Sequence, residues 1–172
     1  MPLKTEQLSH ETTPLQSGDF PFVLVCDGIT SPANAGSLFR LCDALGIRHL
    51  YFCNSNLNFE SSRFKRTARS TETNIPFTAN LTSLEVLSQL EENDFYLVGL
   101  ELTTTSIPLS TFDVKSIKKI ALVLGNERSG ISQQVLEKIK ETIHIPMHGK
   151  NSSMNVAQAA AIAAYSLINN RL

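Results

Sequence analysis

The most chemically varied part of this chain is the glycine-bracketed loop at residues 125–130, which reads GNERSG. It directly follows the apolar run at residues 120–124, which predicts a buried strand. A turn alone explains its first glycine and asparagine, but it does not require the charged pair Glu127 and Arg128. A second polar loop, at residues 148–153, follows another short apolar run. Because ligands bind where the strands of open α/β sheets end, these two loops predict a small-molecule site.

Asn34 and Arg40 are the other candidate pair, six positions apart in a largely apolar helical pattern. In the simpler interpretation, Asn34 caps a helix and Arg40 extends past the core into solvent. Gly36 and Ser37 favour a functional interpretation, because small residues in the first turn let another backbone or a ligand approach closely. The residues alone leave both interpretations open.

Several common chemistries lack their sequence motifs. The chain has neither GxxxxGK[ST] nor GxGxxG after a strand, which argues against a P-loop enzyme or an ordinary dehydrogenase. His144 and His148 are spaced i, i+4, but Pro146 lies between them and argues against a shared helical face. We therefore expect no metal site. The three cysteines form no CxxC pair and are expected to fill core volume in a reducing compartment.

Length and composition indicate one globular domain. The chain has 172 residues, of which 42% are hydrophobic and 18% are charged. No apolar run reaches the ~18 residues that a membrane span needs, and the N-terminus does not resemble a secretory signal, so we expect a cytoplasmic protein. The formal net charge of -1 gives no global basic surface, so a nucleic acid would have to bind a local patch.

Strands and helices are expected to alternate along the chain. Apolar runs predict strands at residues 20–26, 50–53, 75–78, 95–100, 120–124 and 143–147. Helical patterns occupy residues 34–45, 83–90, 132–140 and 155–168. The alternation predicts an α/β fold with a mostly parallel sheet flanked by helices. Residues 1–19 are expected to form a flexible arm before a single domain at 20–172, and residues 54–74 to form a polar, basic loop.

Three segments in this order and spacing resemble the SpoU (TrmH-like) family of RNA ribose 2′-O-methyltransferases, in the SPOUT superfamily. The first is Asn34-x5-Arg40 with its helix. The second is LGNERSG at residues 124–130. The third is IPM at 145–147 followed by SMNV and an alanine-rich helix. The resemblance covers about residues 20–170.

The resemblance implies a parallel α/β sheet whose C-terminal part is threaded into a deep trefoil knot. It also implies an obligate homodimer and S-adenosyl-L-methionine as the cofactor. The cofactor would meet backbone at five positions, which are Leu100, Gly125, Ile145, Met147 and Met154. Backbone N–H and C=O groups can recognise the edge of an adenine, and a glycine lets that backbone come close.

The resemblance also implies a catalytic set. Arg40 matches the arginine to which the family assigns proton removal with help from a substrate phosphate. Stabilising developing negative charge is the physically easier role, because arginine stays cationic. Asn34 would position Arg40 or the ribose. Glu127, Ser153 and Asn155 would shape the place where methyl donor and ribose meet.

Two departures from the family pattern stand out. Met154 replaces a leucine and keeps an apolar side chain under the cofactor, whereas Ala157 replaces a serine and removes one hydrogen bond. Residues 67–71 (TARST) replace a patch of small residues with a bulkier, more basic segment.

RNA is the expected partner, and six cationic side chains of the dimer are expected to bind it. They are Arg63, Lys65, Arg66, Arg69, Arg128 and Lys150. The small size and the absence of an rRNA-type extension favour tRNA over rRNA as substrate. The alternatives are an rRNA 2′-O-methyltransferase, a catalytically inactive knotted RNA-binding protein, and a Rossmann-like nucleotide enzyme that acts on small molecules. The intact motif residues argue against an inactive protein.

Overall fold

The computed structural model describes residues 20–170, so the predicted arm at residues 1–19 lies outside the described residues. Seven strands follow the order β1 Phe22–Asp27, β2 His49–Cys53, β3 Phe77–Leu81, β4 Tyr96–Leu100, β5 Ile107–Pro108, β6 Ile120–Leu124 and β7 Glu141–His144. The helices are α1 Pro32–Leu45, α2 Ser62–Ala68, α3 Ser83–Glu92, α4 Gln133–Lys138 and α5 Val156–Asn169. Two short 3₁₀ turns lie at Thr71–Thr73 and Leu109–Thr111.

The strands form one seven-stranded sheet in the order β3-β2-β1-β6-β4-β7-β5. All of its described strand pairings are parallel, which confirms the predicted α/β class. Strand β6 lies between β1 and β4 and is fully buried. Because parallel strands end at the same edge of the sheet, the loops that follow β1, β4, β6 and β7 are neighbours there.

Helices cover both faces of the sheet. One apolar cluster joins α1, α2 and α5 to residues such as Leu24, Leu122 and Val98. A second joins α3 and α4 to the alternate residues, such as Val25 and Val123. The central strands therefore have apolar side chains on both faces, which explains their continuous hydrophobic runs.

Helix α1 begins two residues earlier than predicted, and its cap is Ser31 instead of Asn34. The Ser31 hydroxyl accepts a hydrogen bond from the backbone N–H of Asn34 at 3.4 Å, and Pro32 occupies the first turn. Serine as cap followed by proline is a strong helix start, which outweighs the asparagine two residues later. The Asn34 side chain is therefore available for other contacts. Gly46 ends the helix in the left-handed conformation, which a glycine adopts readily.

The segment at residues 54–74, predicted as a loop, contains helix α2. Phe64 and Ala68 are buried one turn apart, while the residues between them carry the basic side chains. With only two buried positions, the apolar pattern is too short to predict a helix. Helix α2 packs closely on α1, because a Cβ on Gly36 would lie 2.8 Å from the Ala68 backbone nitrogen. The small residue predicted to admit a backbone or a ligand therefore admits a backbone.

Prolines shift two predicted strands. Strand β7 ends at His144, so the apolar residues 145–147 lie outside it. Pro146 has no N–H for a ladder, which ends the strand near that point. Strand β3 begins after Pro76 instead of before it, for the same reason. The predicted apolar run at 143–147 is thus part strand and part cavity-lining loop.

The three cysteines are free, buried thiols, as expected. Burial raises the pKa of Cys42 to about 12, with a smaller contribution from Asp43, so this thiol stays protonated at neutral pH.

Within residues 20–170, no helix is long and apolar enough to cross a membrane. In that same part of the chain, no cluster of acidic, histidine or cysteine side chains is arranged to hold a metal ion.

Candidate functional site

A cavity of about 440 Å³ opens where β4, β6 and β7 end. This volume is in the range of small-molecule sites. All five residues predicted to hold a cofactor line it, namely Leu100, Gly125, Ile145, Met147 and Met154. Four of the five predicted catalytic residues line it as well, namely Asn34, Glu127, Ser153 and Asn155. The structure thus brings five parts of the chain, around residues 34, 100, 125–127, 145–147 and 153–155, to one cavity with both polar and apolar walls.

Glu127 ties the loop at 125–130 to the start of helix α1. Its Oε1 accepts hydrogen bonds from the backbone N–H of Ser31 at 3.0 Å and from Nδ2 of Asn34 at 2.9 Å. Its Oε2 accepts from the N–H and the hydroxyl of Thr30, both at 3.2 Å. A carboxylate next to a helix N-terminus also interacts favourably with the helix dipole. Glu127 therefore holds two motif segments together.

Asn34 and Asn155 extend this network. Nδ2 of Asn155 donates to Oδ1 of Asn34 at 2.9 Å, which connects α1 to the start of α5. Oδ1 of Asn155 accepts from the N–H groups of Ala157 and Gln158, so Asn155 is the cap of α5. Each side-chain amide uses one N–H in this chain of contacts, which leaves its second N–H available to a ligand oxygen.

Glu127 is ionised in this arrangement. Burial alone would raise its pKa, but the hydrogen bonds from Asn34 and from the backbone of Thr30 and Ser31 outweigh burial and hold the pKa below its usual value. Because the side chain already accepts four hydrogen bonds, it has little capacity left to act as a base. The geometry favours a positioning role for Glu127.

The loop at 125–130 has little room to move. Asn126 and Gly130 exchange two backbone hydrogen bonds, each 3.0 Å long. Nδ2 of Asn126 also donates to the carbonyl of Gly28 at 2.6 Å, and its Oδ1 accepts from the N–H of Arg128 at 2.9 Å. At Gly125, a Cβ would lie 2.2 Å from the carbonyl carbon of Gly130. A glycine is therefore required where β6 enters the cavity wall.

Asp27 is a buried carboxylate that is not among the predicted site residues. It is 4% exposed at the end of β1. Its Oδ1 accepts from Ser83 Oγ at 2.6 Å and Asn54 Nδ2 at 2.8 Å, and its Oδ2 from the Ser132 N–H at 2.9 Å. Burial would raise the pKa of Asp27, but these hydrogen bonds lower it. The sequence signal that could have identified Asp27 is an acidic residue directly after an apolar strand.

We expect Asp27→Asn to lower the free energy of unfolding by about 2–3 kcal/mol at pH 7, because an amide presents N–H groups to some of the same donors. The folded-state pKa lies below the unfolded value, so the stabilisation is complete above the unfolded pKa, near 3.8, and is lost as pH falls through the folded pKa. Urea titrations at several pH values should show the difference shrinking in acid. Asp43→Asn, at an exposed position, is the control. An equal difference at every pH would contradict this account.

Arg40 lies in a groove beside the cavity and not in the cavity itself. The groove runs between α1 and α5, and both spaces are lined by Asn34 and Asn155. The Arg40 side chain is exposed, so it is accessible to a large substrate. The structure therefore separates the predicted catalytic arginine from the predicted cofactor residues by the Asn34–Asn155 contact.

The six predicted RNA-binding cations lie on three different elements of the chain. Helix α2 and its end present the exposed side chains of Arg63, Lys65, Arg66 and Arg69, and Lys65 pairs with Glu60. Arg128 lines the cavity, and Lys150 is exposed in the loop before α5. Glu101 and His144 are among the cavity residues that were not predicted. Both stand where a strand ends, which is the signal that identified the loop at 125–130.

A model of the SpoU rRNA Methylase family matches residues 21–165. This chain belongs to that family. A SpoU-family relative, the 23S rRNA (guanosine-2'-O-)-methyltransferase RlmB of Blochmanniella floridana, is 28% identical over 99% of this chain and 66% of its own length. The chain therefore spans slightly less than two thirds of this curated relative.

Solved structures of the SpoU type share this fold. The SpoU methyltransferase AviRb from Streptomyces viridochromogenes, in complex with AdoMet, has a TM-score of 0.79 and 28% identity, and the match covers 95% of this chain and 64% of AviRb. A structure solved to study 2-OH methylation of C/U34 on tRNA has a TM-score of 0.76 and 25% identity, with 89% of this chain and 97% of that chain covered. The resemblance found in the sequence motifs is confirmed.

Proposed function

We propose that this chain transfers a methyl group from S-adenosyl-L-methionine to a ribose 2′-hydroxyl of an RNA. The observation that carries the proposal is the cavity itself, which joins the five predicted cofactor residues to the Glu127–Asn34–Asn155 chain of hydrogen bonds. AviRb, a family member with a closely similar fold, is an AdoMet complex. The RlmB relatives are named as guanosine-2′-O-methyltransferases.

The cavity fits this cofactor. Its wall is apolar at Leu124, Ile145 and Met154, which suits an adenine ring, and it also carries polar side chains that can bind the rest of the cofactor. The backbone at Gly125 and Met147 is proposed to bind the edge of the base. When bound, S-adenosyl-L-methionine supplies an electrophilic methyl group on a sulfonium. The remaining steps belong to residues of this chain.

Arg40 is proposed to act on the ribose oxygen. A ribose 2′-hydroxyl is a weak nucleophile that must lose its proton as it attacks, and negative charge develops on its oxygen. A guanidinium stays cationic, so Arg40 in the adjoining groove stabilises that charge while the proton passes to solvent. The spare amide N–H groups of Asn34 and Asn155 lie between groove and cavity, where they can orient the oxygen.

The substrate class is RNA, and rRNA is the first candidate, because the curated relatives are 23S rRNA enzymes. The tRNA expected from the sequence is the second candidate, favoured by the similar structure that concerns C/U34 on tRNA. Mass-spectrometric mapping of the ribose methylations that disappear when the gene is deleted distinguishes the two. Losses confined to rRNA or to tRNA identify the substrate, and no lost ribose methylation contradicts the proposed function.

The runner-up is a catalytically inactive, knotted RNA-binding protein. Calorimetry with S-adenosyl-L-methionine separates it from the enzyme, because the enzyme must bind the cofactor in the absence of RNA. No heat of binding at millimolar cofactor would favour the inactive protein. The retained Asn34, Arg40, Glu127 and Asn155 support the enzyme.

We also propose the trefoil knot, the homodimer and a cytoplasmic location. Helix α5 packs on α1, on β4 and β6, and on the turn Leu109–Thr111, as expected if it passes through the segment between β4 and β6. Ile162 and Tyr165 on α5 are 46% and 61% exposed, which suits a subunit contact. Light scattering tests the dimer, and a monomeric mass with full activity contradicts it.

We expect the exposed cations of α2 to contribute to RNA affinity without affecting the cofactor. Arg63→Glu should weaken RNA binding severalfold. The slope of log affinity against log salt concentration should become shallower by about the amount that one phosphate contact contributes. Lys115→Glu makes the same charge change at an exposed position before β6, at the opposite end of the sheet, and is the matched control. Fluorescence anisotropy at several salt concentrations measures both. Equal effects in the two variants would show that net charge alone is responsible.

A further inference from the structure

Glu101 places a carboxylate in the cavity wall directly after β4. Its Oε2 accepts a hydrogen bond from the backbone N–H of Ile131 at 3.1 Å, and its Oε1 accepts from the N–H of Leu102 at 3.0 Å. A Cβ on Gly130 would lie 2.4 Å from Oε2, so the carboxylate rests directly on the backbone of the loop at 125–130. Backbone on two sides therefore fixes its position.

This carboxylate has acceptor capacity left. Each carboxylate oxygen has two lone pairs, and the contacts within the protein use one on each oxygen of Glu101. Within residues 20–170, no lysine or arginine forms an ion pair with it. The other cavity carboxylate, Glu127, already accepts four hydrogen bonds. Glu101 is thus the cavity carboxylate that can accept from a ligand.

Two adjacent oxygens, each with one unused lone pair, suit a ligand that offers two neighbouring O–H groups. The vicinal diol of a ribose has this arrangement, and an acidic residue near a strand end binds a ribose hydroxyl in dinucleotide-binding folds. We propose that Glu101 accepts both ribose hydroxyls of the cofactor and selects for a ribonucleoside. This inference rests on the proposed function.

The position of Glu101 favours the diol over the amino group of the cofactor. Glu101 adjoins Leu100, one of the residues proposed to hold the adenosine part. No hydrogen bond between described residues joins it to the Glu127–Asn34–Asn155 network, which is assigned to the transfer step. Glu101 is therefore assigned to the end of the cavity that is proposed to bind the adenosine part of the cofactor.

Calorimetry with S-adenosylhomocysteine and its 2′-deoxy analogue tests the proposal on the wild-type chain and on Glu101→Gln. Glutamine keeps the size of the side chain and an oxygen for the Ile131 N–H, but it loses the charge. We expect the wild type to bind the ribonucleoside about tenfold to a hundredfold more tightly than the analogue. Glu101→Gln should bind the ribonucleoside more weakly and should discriminate less than threefold. Both affinities come from one protein, so differences in stability cancel in the ratio.

Other results have distinct meanings. Equal wild-type affinity for the two nucleosides overturns the proposal. Undiminished discrimination between the two nucleosides in Glu101→Gln also overturns it. If that variant in addition binds both nucleosides more weakly, Glu101 contacts the amino group of the cofactor instead of its ribose. A folded variant that binds neither nucleoside at millimolar concentration also overturns it, because the loss then exceeds that of the hydroxyl contacts. If the wild type itself does not bind S-adenosylhomocysteine, it is the proposed function that fails.

Discussion

Replacing Arg40 by alanine should lower the rate of methyl transfer by about two to three orders of magnitude and leave the affinity for S-adenosyl-L-methionine unchanged. The reason is the position of the side chain, which lies in the groove between α1 and α5 and does not line the cavity. Stabilisation of charge that develops only during transfer appears in kcat and not in cofactor binding. Single-turnover assays at saturating RNA measure the first quantity, and calorimetry measures the second.

Two variants sharpen this experiment. Arg40→Lys keeps the positive charge but loses the planar fork, so it should recover only part of the rate. Arg48→Ala removes an exposed arginine at the other end of the sheet, near the start of β2, and should transfer methyl groups normally. A defect of Arg40→Ala that appears only in KM for RNA would make Arg40 a binding residue. An unchanged rate would remove it from the mechanism.

Replacing Gly125 by alanine should reduce cofactor affinity at least about a hundredfold. The added Cβ would lie 2.2 Å from the carbonyl carbon of Gly130 and 2.3 Å from the nitrogen of Ile131, and neither backbone atom can move away easily. The loop at 125–130 would have to shift, and the cavity wall would shift with it. Calorimetry with S-adenosyl-L-methionine measures the loss.

Two other glycines separate this effect from general damage. Gly149→Ala adds a methyl group with nothing within 4 Å, so cofactor affinity and stability should both stay unchanged. Gly99→Ala would approach Ile139, Ile131 and Thr142 side chains at 3.1–3.2 Å on the far face of the sheet. It should lower stability by about 1 kcal/mol with a smaller effect on the cofactor. Normal cofactor binding by Gly125→Ala would show that the loop at 125–130 does not form the adenosine site.

The central strands were predictable because each is buried on both faces. Strands β1, β4 and β6 appear in the sequence as unbroken apolar runs that end in polar or small residues. The edges of the sheet were less predictable. Strand β5 has two residues, and β3 is partly exposed, so neither carries a full apolar pattern. Helix α2 was missed because only Phe64 and Ala68 face the core.

The identity of the candidate site residues also came from the sequence, through three motifs that each lie in one segment. The resemblance of these motifs to the SpoU family made Gly125, Asn155 and Arg40 candidates, whereas the residues alone left the role of Arg40 open. Local spacing failed at the start of α1, where two signals competed and Ser31 with Pro32 prevailed over Asn34. It also missed Asp27 and Glu101, which each stand where a buried strand ends but accept hydrogen bonds from the distant N–H groups of Ser132 and Ile131.

The sequence by itself therefore determined the central strands, most of the helices and the family, because these depend on neighbours along the chain. Only the tertiary structure decided what the polar residues do. Glu127 reaches Asn34 across 93 positions, and Asn34 reaches Asn155 across 121. Such pairs exist because β6 inserts beside β1 and α5 returns to α1. A hydrogen bond depends on distance in space, and the order of strands in a sheet, which sets that distance, is not written in the spacing of residues along the chain.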